Sequence, residues 1–108
     1  MTTSEGQYAA NRRETIAEAL DLRVRLLALG EGQCVPWHYH NNISDTFYVI
    51  EGDLRLYLQQ PKEDVRLGPG ESYAVAAGRP HLVTNAGSTS MTILVLQGVG
   101  EYDYVPLV

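Results

Sequence analysis

The stretch Trp37–Gly52, WHYHNNISDTFYVIEG, contains two of the three histidines of the chain, followed by an acidic residue. His38 and His40 are two positions apart. In an extended strand such residues point to the same face, roughly 7 Å apart at Cα. Two imidazole rings at that separation can lean together onto one metal ion. The stretch therefore predicts a strand that carries a pair of metal ligands.

The chain is expected to reverse directly after this strand. Two asparagines follow His40, and asparagine tolerates left-handed backbone conformations. Thr46–Ile50 is rich in the aromatic and β-branched residues that strands favour. Asp45 is predicted to begin this second strand, antiparallel to the first, with its carboxylate facing the two rings. Phe47 and Val49 share the strand parity of Asp45 and are therefore candidate walls of the same pocket.

The spacing of these residues resembles the first motif of the cupin family, G-x5-H-x-H-x3,4-E-x6-G. The matching positions are Gly32, His38, His40, Asp45 and Gly52. Aspartate stands here where the family usually has glutamate. Its side chain is one methylene shorter, so the carboxylate is expected to fall short of an ion by on the order of 1.5 Å unless the strand lies closer.

The second cupin motif, G-x5-P-x-G-x2-H-x3-N, also matches at every spacing. Its positions here are Gly70, Ala76, Gly78, His81 and Asn85, with alanine in place of the usual proline. The resemblance covers roughly Leu22–Leu96, and both motifs occur in the correct order. It implies that His81, the third histidine of the chain, joins the first two at one site.

The candidate metal site consists of His38, His40, Asp45 and His81. Imidazole and carboxylate ligands suit one divalent transition metal, which can be Fe, Mn, Ni, Zn or Cu, and the sequence does not choose among them. Asp45 either binds the ion, or holds a metal-bound water or orients a histidine. The plain alternatives are that the three histidines satisfy unrelated local hydrogen bonds and that Asp45 caps a turn.

Short runs of alternating apolar and polar residues, separated by glycine-rich turns, predict an all-β antiparallel sandwich or barrel. Leu54–Leu58 shows the alternation plainly, with leucine at every second position. The resemblance narrows the expectation to a small jelly-roll β-barrel, the cupin double-stranded β-helix, with its ligand site inside and towards one open end. Residues 22–108 are then one barrel domain, and residues 1–21 an N-terminal lead-in that can lie across a second subunit.

Four smaller features carry expectations of their own. Arg12–Leu20 has some helix propensity but only one apolar i,i+4 pair, so a strand or an irregular lead-in is favoured over a helical turn. Cys34 lies an even number of residues from His38 and is predicted to face inward. Gln97 ends an apolar strand and is a candidate pocket residue, although polar residues are also usual at strand ends. The tail Glu101–Val108 is expected to pack on the outside of the barrel.

Composition limits the classes of function. A chain of 108 residues, of which 44% are hydrophobic, suits one globular domain. The net charge of −5, with only eight Lys and Arg, argues against a nucleic-acid partner. No apolar run approaches the ~20 residues of a membrane span, and none suits a signal peptide. We therefore expect no membrane partner and a cytoplasmic location.

The resemblance implies a metal-binding cupin that acts on or binds a small organic molecule inside the barrel. The metal would serve as a Lewis acid or an O₂ activator, with Asp45 or a metal-bound hydroxide as the base. Cupin enzymes include dioxygenases, isomerases, lyases and cyclases, and the sequence does not decide whether this chain is an enzyme. The alternative is a non-catalytic small-ligand-binding or structural cupin. A homodimer is expected because an antiparallel sandwich has edges to protect and cupins are often dimeric.

Overall fold

A computed structural model describes residues 8–107 of the chain, which form ten β-strands and no helix. The strands are β1 Arg12–Ala19, β2 Leu22–Leu29, β3 Cys34–Tyr39, β4 Ser44–Glu51, β5 Leu54–Leu58, β6 Glu63–Leu67, β7 Ser72–Val75, β8 His81–Asn85, β9 Met91–Gly98 and β10 Val105–Pro106. The predicted all-β fold is confirmed. It follows that no described residue belongs to a helix that is long and apolar enough to cross a bilayer.

The strands form two antiparallel sheets of five strands each. The first sheet has the order β1-β2-β9-β4-β7, and the second has the order β10-β3-β8-β5-β6. The two strands of the opening stretch, β3 and β4, therefore lie in different sheets. The reversal predicted after His40 carries the chain from one sheet to the other, so that side chains from β3 and β4 can meet between the sheets.

The hydrophobic core lies between the sheets and follows the period of two that strands impose on side chains. In β5 the three leucines at alternate positions are at most 1% exposed. Burial of each such side chain contributes about 1.5–3 kcal/mol to stability. The inward positions of β9 are buried in the same way, and they are Met91, Ile93, Val95 and Gln97. Gln97, the last residue of this series, is polar, so the apolar core ends there and a polar site begins.

The segment Arg12–Ala19 forms an edge strand, as the favoured prediction had it. It pairs with β2 over its whole length, with one irregularity between Thr15 and Ala17. Its outer positions are largely polar and charged, which discourages uncontrolled pairing of the open edge. Residues 1–7 of the predicted lead-in lie outside the described residues, and the contact of this segment with a second subunit stays a prediction.

A bulge in β3 changes the parity on which one prediction depended. The register with β8 pairs Val35 with Val83 and then His38 with His81, with a shift between them at Pro36. Both Val35 and His38 are buried although they are an odd number of residues apart. Cys34 is only half-buried, so the prediction that it faces inward is wrong. Proline cannot donate a ladder hydrogen bond, and the strand bulges where it stands.

Gly52 closes the β4–β5 turn and lies against the start of β9. Its φ is +87°, and a Cβ at this position would lie 2.9 Å from the Cα of Met91. Gly70 has nearly the same φ, +85°, but has no atom within 4 Å of the corresponding position. Substitutions at these two glycines therefore distinguish the effect of backbone strain, present at both, from the effect of a close contact, present only at Gly52.

We expect Gly70→Ala to lower the free energy of unfolding by about 1 kcal/mol, because alanine is strained at positive φ. Gly52→Ala should cost about 2–4 kcal/mol, because the new methyl group also meets the backbone of β9. Urea denaturation of the two variants measures the difference. Equal losses would contradict the close approach of the turn to β9.

Candidate metal centre

The three histidines and Asp45 reach one place from three different strands. His38 and His81 are paired residues of β3 and β8, and their ring centroids lie 4.3 Å apart. His40 follows β3 directly, and its carbonyl accepts a hydrogen bond from the amide of Gly78 at 2.6 Å. That bond ties the loop before His81 to the end of β3. Asp45 approaches from β4 in the opposite sheet.

One carboxylate oxygen lies at the centre of this cluster. Oδ2 of Asp45 is 2.8 Å from Nε2 of His40, 2.9 Å from Nε2 of His81 and 3.7 Å from Nε2 of His38. All four ligand atoms lie within 4.8 Å of one another, and no side chain of the four is more than 3% exposed. The shorter side chain of aspartate therefore reaches hydrogen-bond distance of two imidazole nitrogens, and its distance to an ion stays a prediction.

The other ring nitrogens are all engaged by backbone carbonyls. Nδ1 of His38 is 2.7 Å from the carbonyl oxygen of Pro36, and Nδ1 of His81 is 2.8 Å from that of Arg79. Nδ1 of His40 contacts the carbonyl oxygen of Asp103. Because a carbonyl only accepts hydrogen bonds, each Nδ1 carries a hydrogen. A neutral ring in this tautomer presents the lone pair of Nε2 to the centre of the cluster.

When the rings are neutral, three Nε2 lone pairs and a carboxylate oxygen are all acceptors, and they repel one another unless a proton or a metal ion lies between them. The cluster can hold a metal ion, and its distances suit one. Two ligand atoms that are each about 2.1 Å from an ion lie about 3.0 Å apart at a right angle and about 3.4 Å apart at the tetrahedral angle. The observed separations from Asp45 Oδ2, 2.8–3.7 Å, span these values.

The electrostatics of the cluster show the same attraction for positive charge. Burial alone would raise the pKa of Asp45, but when protons rather than an ion occupy the Nε2 positions, hydrogen bonds donated by the imidazoles hold the pKa of this carboxyl well below its usual range. Burial lowers the pKa of His38. Burial would also lower the pKa of His40, but the hydrogen bond and charge of Asp45 outweigh it and raise this pKa. The carboxylate thus stays ionised and attracts a cation.

Gln97 fixes the orientation of this carboxylate. It is the residue of β9 paired with Asp45, and its Nε2 donates to Asp45 Oδ1 at 3.1 Å. This bond leaves Oδ2 for the three imidazoles. Gln97 is only 7% exposed, so it is not a solvated residue at a strand end. This candidate pocket residue therefore lies beside Asp45, and its contact with a bound molecule stays a prediction.

The C-terminal tail covers the cluster, and the prediction that it packs on the outside of the barrel is wrong. The Tyr104 ring stacks on His38, with centroids 4.4 Å apart and planes 17° apart. The Tyr102 ring lies 5.6 Å from that of His40. Strand β10 extends this cover by pairing with β3. The two tyrosines were missed as site residues, although their spacing of two is the pattern of a strand with one aromatic face.

Asp103 anchors the tail between these two tyrosines. Its carboxylate accepts hydrogen bonds from the backbone amide of Asn41 at 2.9 Å and from the side-chain amide of Asn41 at 2.6 Å. Its carbonyl accepts the Nδ1 hydrogen of His40. One residue of the tail therefore holds both the loop after β3 and the tautomer of one candidate ligand.

A cavity opens from the cluster towards the first sheet. It is lined by Tyr8, Arg13, Arg25, Leu26, Leu27, Val35, His38, Asp45, Phe47, Val83, Val95, Gln97, Tyr102 and Tyr104. Phe47 therefore lies where the strand parity puts it, whereas Val49 is fully buried in the core and is not a lining residue. The space open to the centres of water molecules is about 30 Å³. A cavity of this size suits two or three waters or a few ligand atoms, at about 10–15 Å³ for each water.

We expect Gln97→Leu to weaken metal binding about 10–100-fold, because loss of its hydrogen bond frees the Asp45 carboxylate to rotate. Titration of the metal-free protein with Zn(II) measures this change. Leu96→Gln, on the opposite face of the same strand, is the matched control and should leave the affinity unchanged. Equal affinities of the wild type and Gln97→Leu would show that the amide does not hold the ligand.

Zn(II) affinity should fall as the pH is lowered, because protons compete for the imidazole nitrogens. The raised pKa of His40 means that its proton is bound already above the ordinary histidine value of about 6.5, so competition begins at a higher pH than for an ordinary ligand. Asp45→Asn removes the main cause of that rise and should move the onset to lower pH. Affinity that is constant from about pH 5 to about pH 8 would contradict the assignment.

Comparison with known proteins agrees with this architecture. The family model of the cupin domain matches residues 25–97. No match was found among curated proteins. A protein with a double-stranded β-helix domain from Klebsiella pneumoniae superposes with a TM-score of 0.77 at 20% identity, over 93% of this chain and 84% of that one. A cupin-2 domain protein from Shewanella frigidimarina gives 0.68 at 22% identity, over 83% and 82%.

A third structure, a variant of the oxalate decarboxylase of Bacillus subtilis, superposes with a TM-score of 0.74 at 21% identity. The match covers 81% of this chain but only 24% of that one, so the present chain spans about a quarter of its length. At these identities the structural likenesses concern the fold. Because the matched residues 25–97 make up more than half of the 108 residues, the chain belongs to the cupin family.

Proposed function

We propose that this chain is a metal-binding cupin that binds and acts on a small organic molecule in the interior of the barrel. One observation carries the proposal. Three imidazoles, each with Nδ1 engaged by a backbone carbonyl, direct Nε2 towards a single buried carboxylate oxygen. This arrangement needs a positive charge at its centre, and burial makes several protons an expensive way to supply it.

In this proposal His38, His40 and His81 hold one divalent transition metal, which supplies a Lewis acid or an O₂ activator when bound. The pKa of Asp45 lies well below its usual range, so its carboxylate is ionised at neutral pH. A general base works best when its pKa lies near the working pH. The low pKa therefore favours Asp45 as a ligand, or as the acceptor for a water on the ion, over Asp45 as the base of a reaction.

The second candidate is a cupin that binds a small ligand without transforming it. The narrow cavity, with about 30 Å³ open to water centres, favours this candidate because a reacting pair of molecules needs more room. Oxygen uptake and turnover of the metal-loaded protein against phenols, keto acids and thiols separate the two. Turnover that His81→Ala abolishes favours the enzyme, and binding without turnover favours the second candidate.

Two further expectations remain proposals. A homodimer is supported by an exposed apolar surface on the β1–β2 hairpin, where Ile16, Leu20 and Leu22 are 54%, 100% and 42% exposed. Burying these side chains against a second copy would also cover the open edge of the first sheet. The cytoplasmic location predicted from the sequence likewise stays a prediction.

Protein purified without an affinity tag should contain close to one equivalent of a divalent transition metal by elemental mass spectrometry. His81→Ala should lose at least about 90% of it, because the ion would keep only two imidazoles and one carboxylate. Asp53→Asn, which removes an exposed carboxylate away from the cluster, is the control and should retain the metal. Full metal content in His81→Ala would remove the third ligand from the proposal.

A further inference from the structure

Arg13 brings a positive charge to the cavity from the edge strand β1. It is paired with Leu27 of β2, and both residues line the cavity. Its guanidinium lies 4.5 Å from the centre of the Tyr8 ring and donates one hydrogen bond to the Tyr8 carbonyl. Its Nε is buried without a hydrogen-bond partner, and no carboxylate of residues 8–107 pairs with it. Arg13 therefore brings to the cavity a positive charge and an Nε–H that can still donate a hydrogen bond.

Gln97 brings an acceptor to the same cavity. The carboxylate of Asp45 can only accept, so the amide of Gln97 must turn its Nε2 towards it. In that orientation the amide oxygen, Oε1, points away from Asp45, and it is buried without a hydrogen-bond partner. The hydroxyl of Tyr102 is buried and without a hydrogen-bond partner in the same way. Buried polar groups normally have partners, so these atoms mark where a polar ligand fits.

The charges around the cavity favour an anion. Among the lining residues within 8–107, Arg13 and Arg25 are cationic and Asp45 is the one carboxylate. A divalent cation at the histidine cluster would add to the positive side. Burial also lowers the pKa of Arg25, because desolvation disfavours its cation. The remaining wall is apolar, through Phe47, Val83 and Val95.

We propose that this cavity binds a small organic carboxylate whose carboxylate group is recognised by Arg13, with Gln97 Oε1 accepting a hydrogen bond from a donor on the ligand. The inference rests on the proposed function, since the rest of the ligand would lie towards the metal centre. Guanidinium groups bind carboxylates through two parallel N–H···O bonds, and Nε is one donor of that fork. The space of about 30 Å³ limits the ligand to a few non-hydrogen atoms.

Acetate and acetamide are suitable probes because they have nearly the same shape and differ in charge. We would titrate both by calorimetry into metal-free and metal-loaded protein, using the wild type, Arg13→Gln and Arg12→Gln. Arg12 is the matched control, because it is the next residue of β1, is 61% exposed and pairs with Glu14. The wild type should bind acetate at least about tenfold tighter than acetamide, as charged hydrogen bonds contribute on this scale.

Arg13→Gln should weaken acetate binding at least about tenfold and leave acetamide unchanged, whereas Arg12→Gln should change neither by more than about twofold. Arg13→Lys keeps the charge but loses the planar fork, and should fall between wild type and Arg13→Gln. If Arg13→Gln does not fold, the acetate affinity of Arg13→Lys tests the role of Arg13. Undetectable acetate binding, equal binding of acetate and acetamide, or acetate binding unaffected by both Arg13 variants would overturn the inference.

The metal content of the same samples keeps the two proposals apart. Protein that binds metal but shows no dependence of acetate affinity on Arg13 would leave the metal centre standing and remove the anion site. Protein that takes up no metal, but whose acetate affinity still depends on Arg13, would remove the metal centre and retain the anion site.

Discussion

The site depends on one electrostatic constraint: several hydrogen-bond acceptors lie close together where they are buried from solvent. A buried carboxylate oxygen faces three imidazole nitrogens whose rings are each oriented by a backbone carbonyl. Desolvation alone would raise the pKa of that carboxyl, yet its neighbours keep the pKa well below the usual range. A cation bound at the centre would turn this mutual repulsion into attraction, and Gln97 orients the carboxylate for it.

The fold brings these groups together because the site residues come from two facing sheets. The bulge at Pro36 turns His38 inward beside His81 of the second sheet, while Asp45 comes from the first sheet. The C-terminal tail then closes over the rings, with Tyr104 stacked on His38 and Asp103 bound to Asn41. The edge strand β1 closes the other side of the cavity and brings Arg13 to it. Segments near both ends of the chain, β1 and the tail, thus complete the site around the histidine cluster.

The features that could be predicted from the sequence are those that depend on short-range spacing. The alternation in Leu54–Leu58 predicts a strand, and the two histidine motifs predict the family and bring His81 to the first pair. The inward placement of Cys34 failed because a bulge changes which side chains face inward, and local spacing does not reveal it. The positions of Tyr102 and Tyr104 depend on contacts with residues far away in the chain, and the sequence carries only a weak signal for them.

X-ray absorption spectroscopy at the metal edge of the loaded protein tests the central claim most directly. Three imidazole nitrogens are expected at about 2.0–2.1 Å, with the outer-shell scattering that imidazole rings produce. A coordination shell made only of oxygen, or one with fewer than three imidazoles in the wild type, would contradict the convergence of His38, His40 and His81 on a common ion.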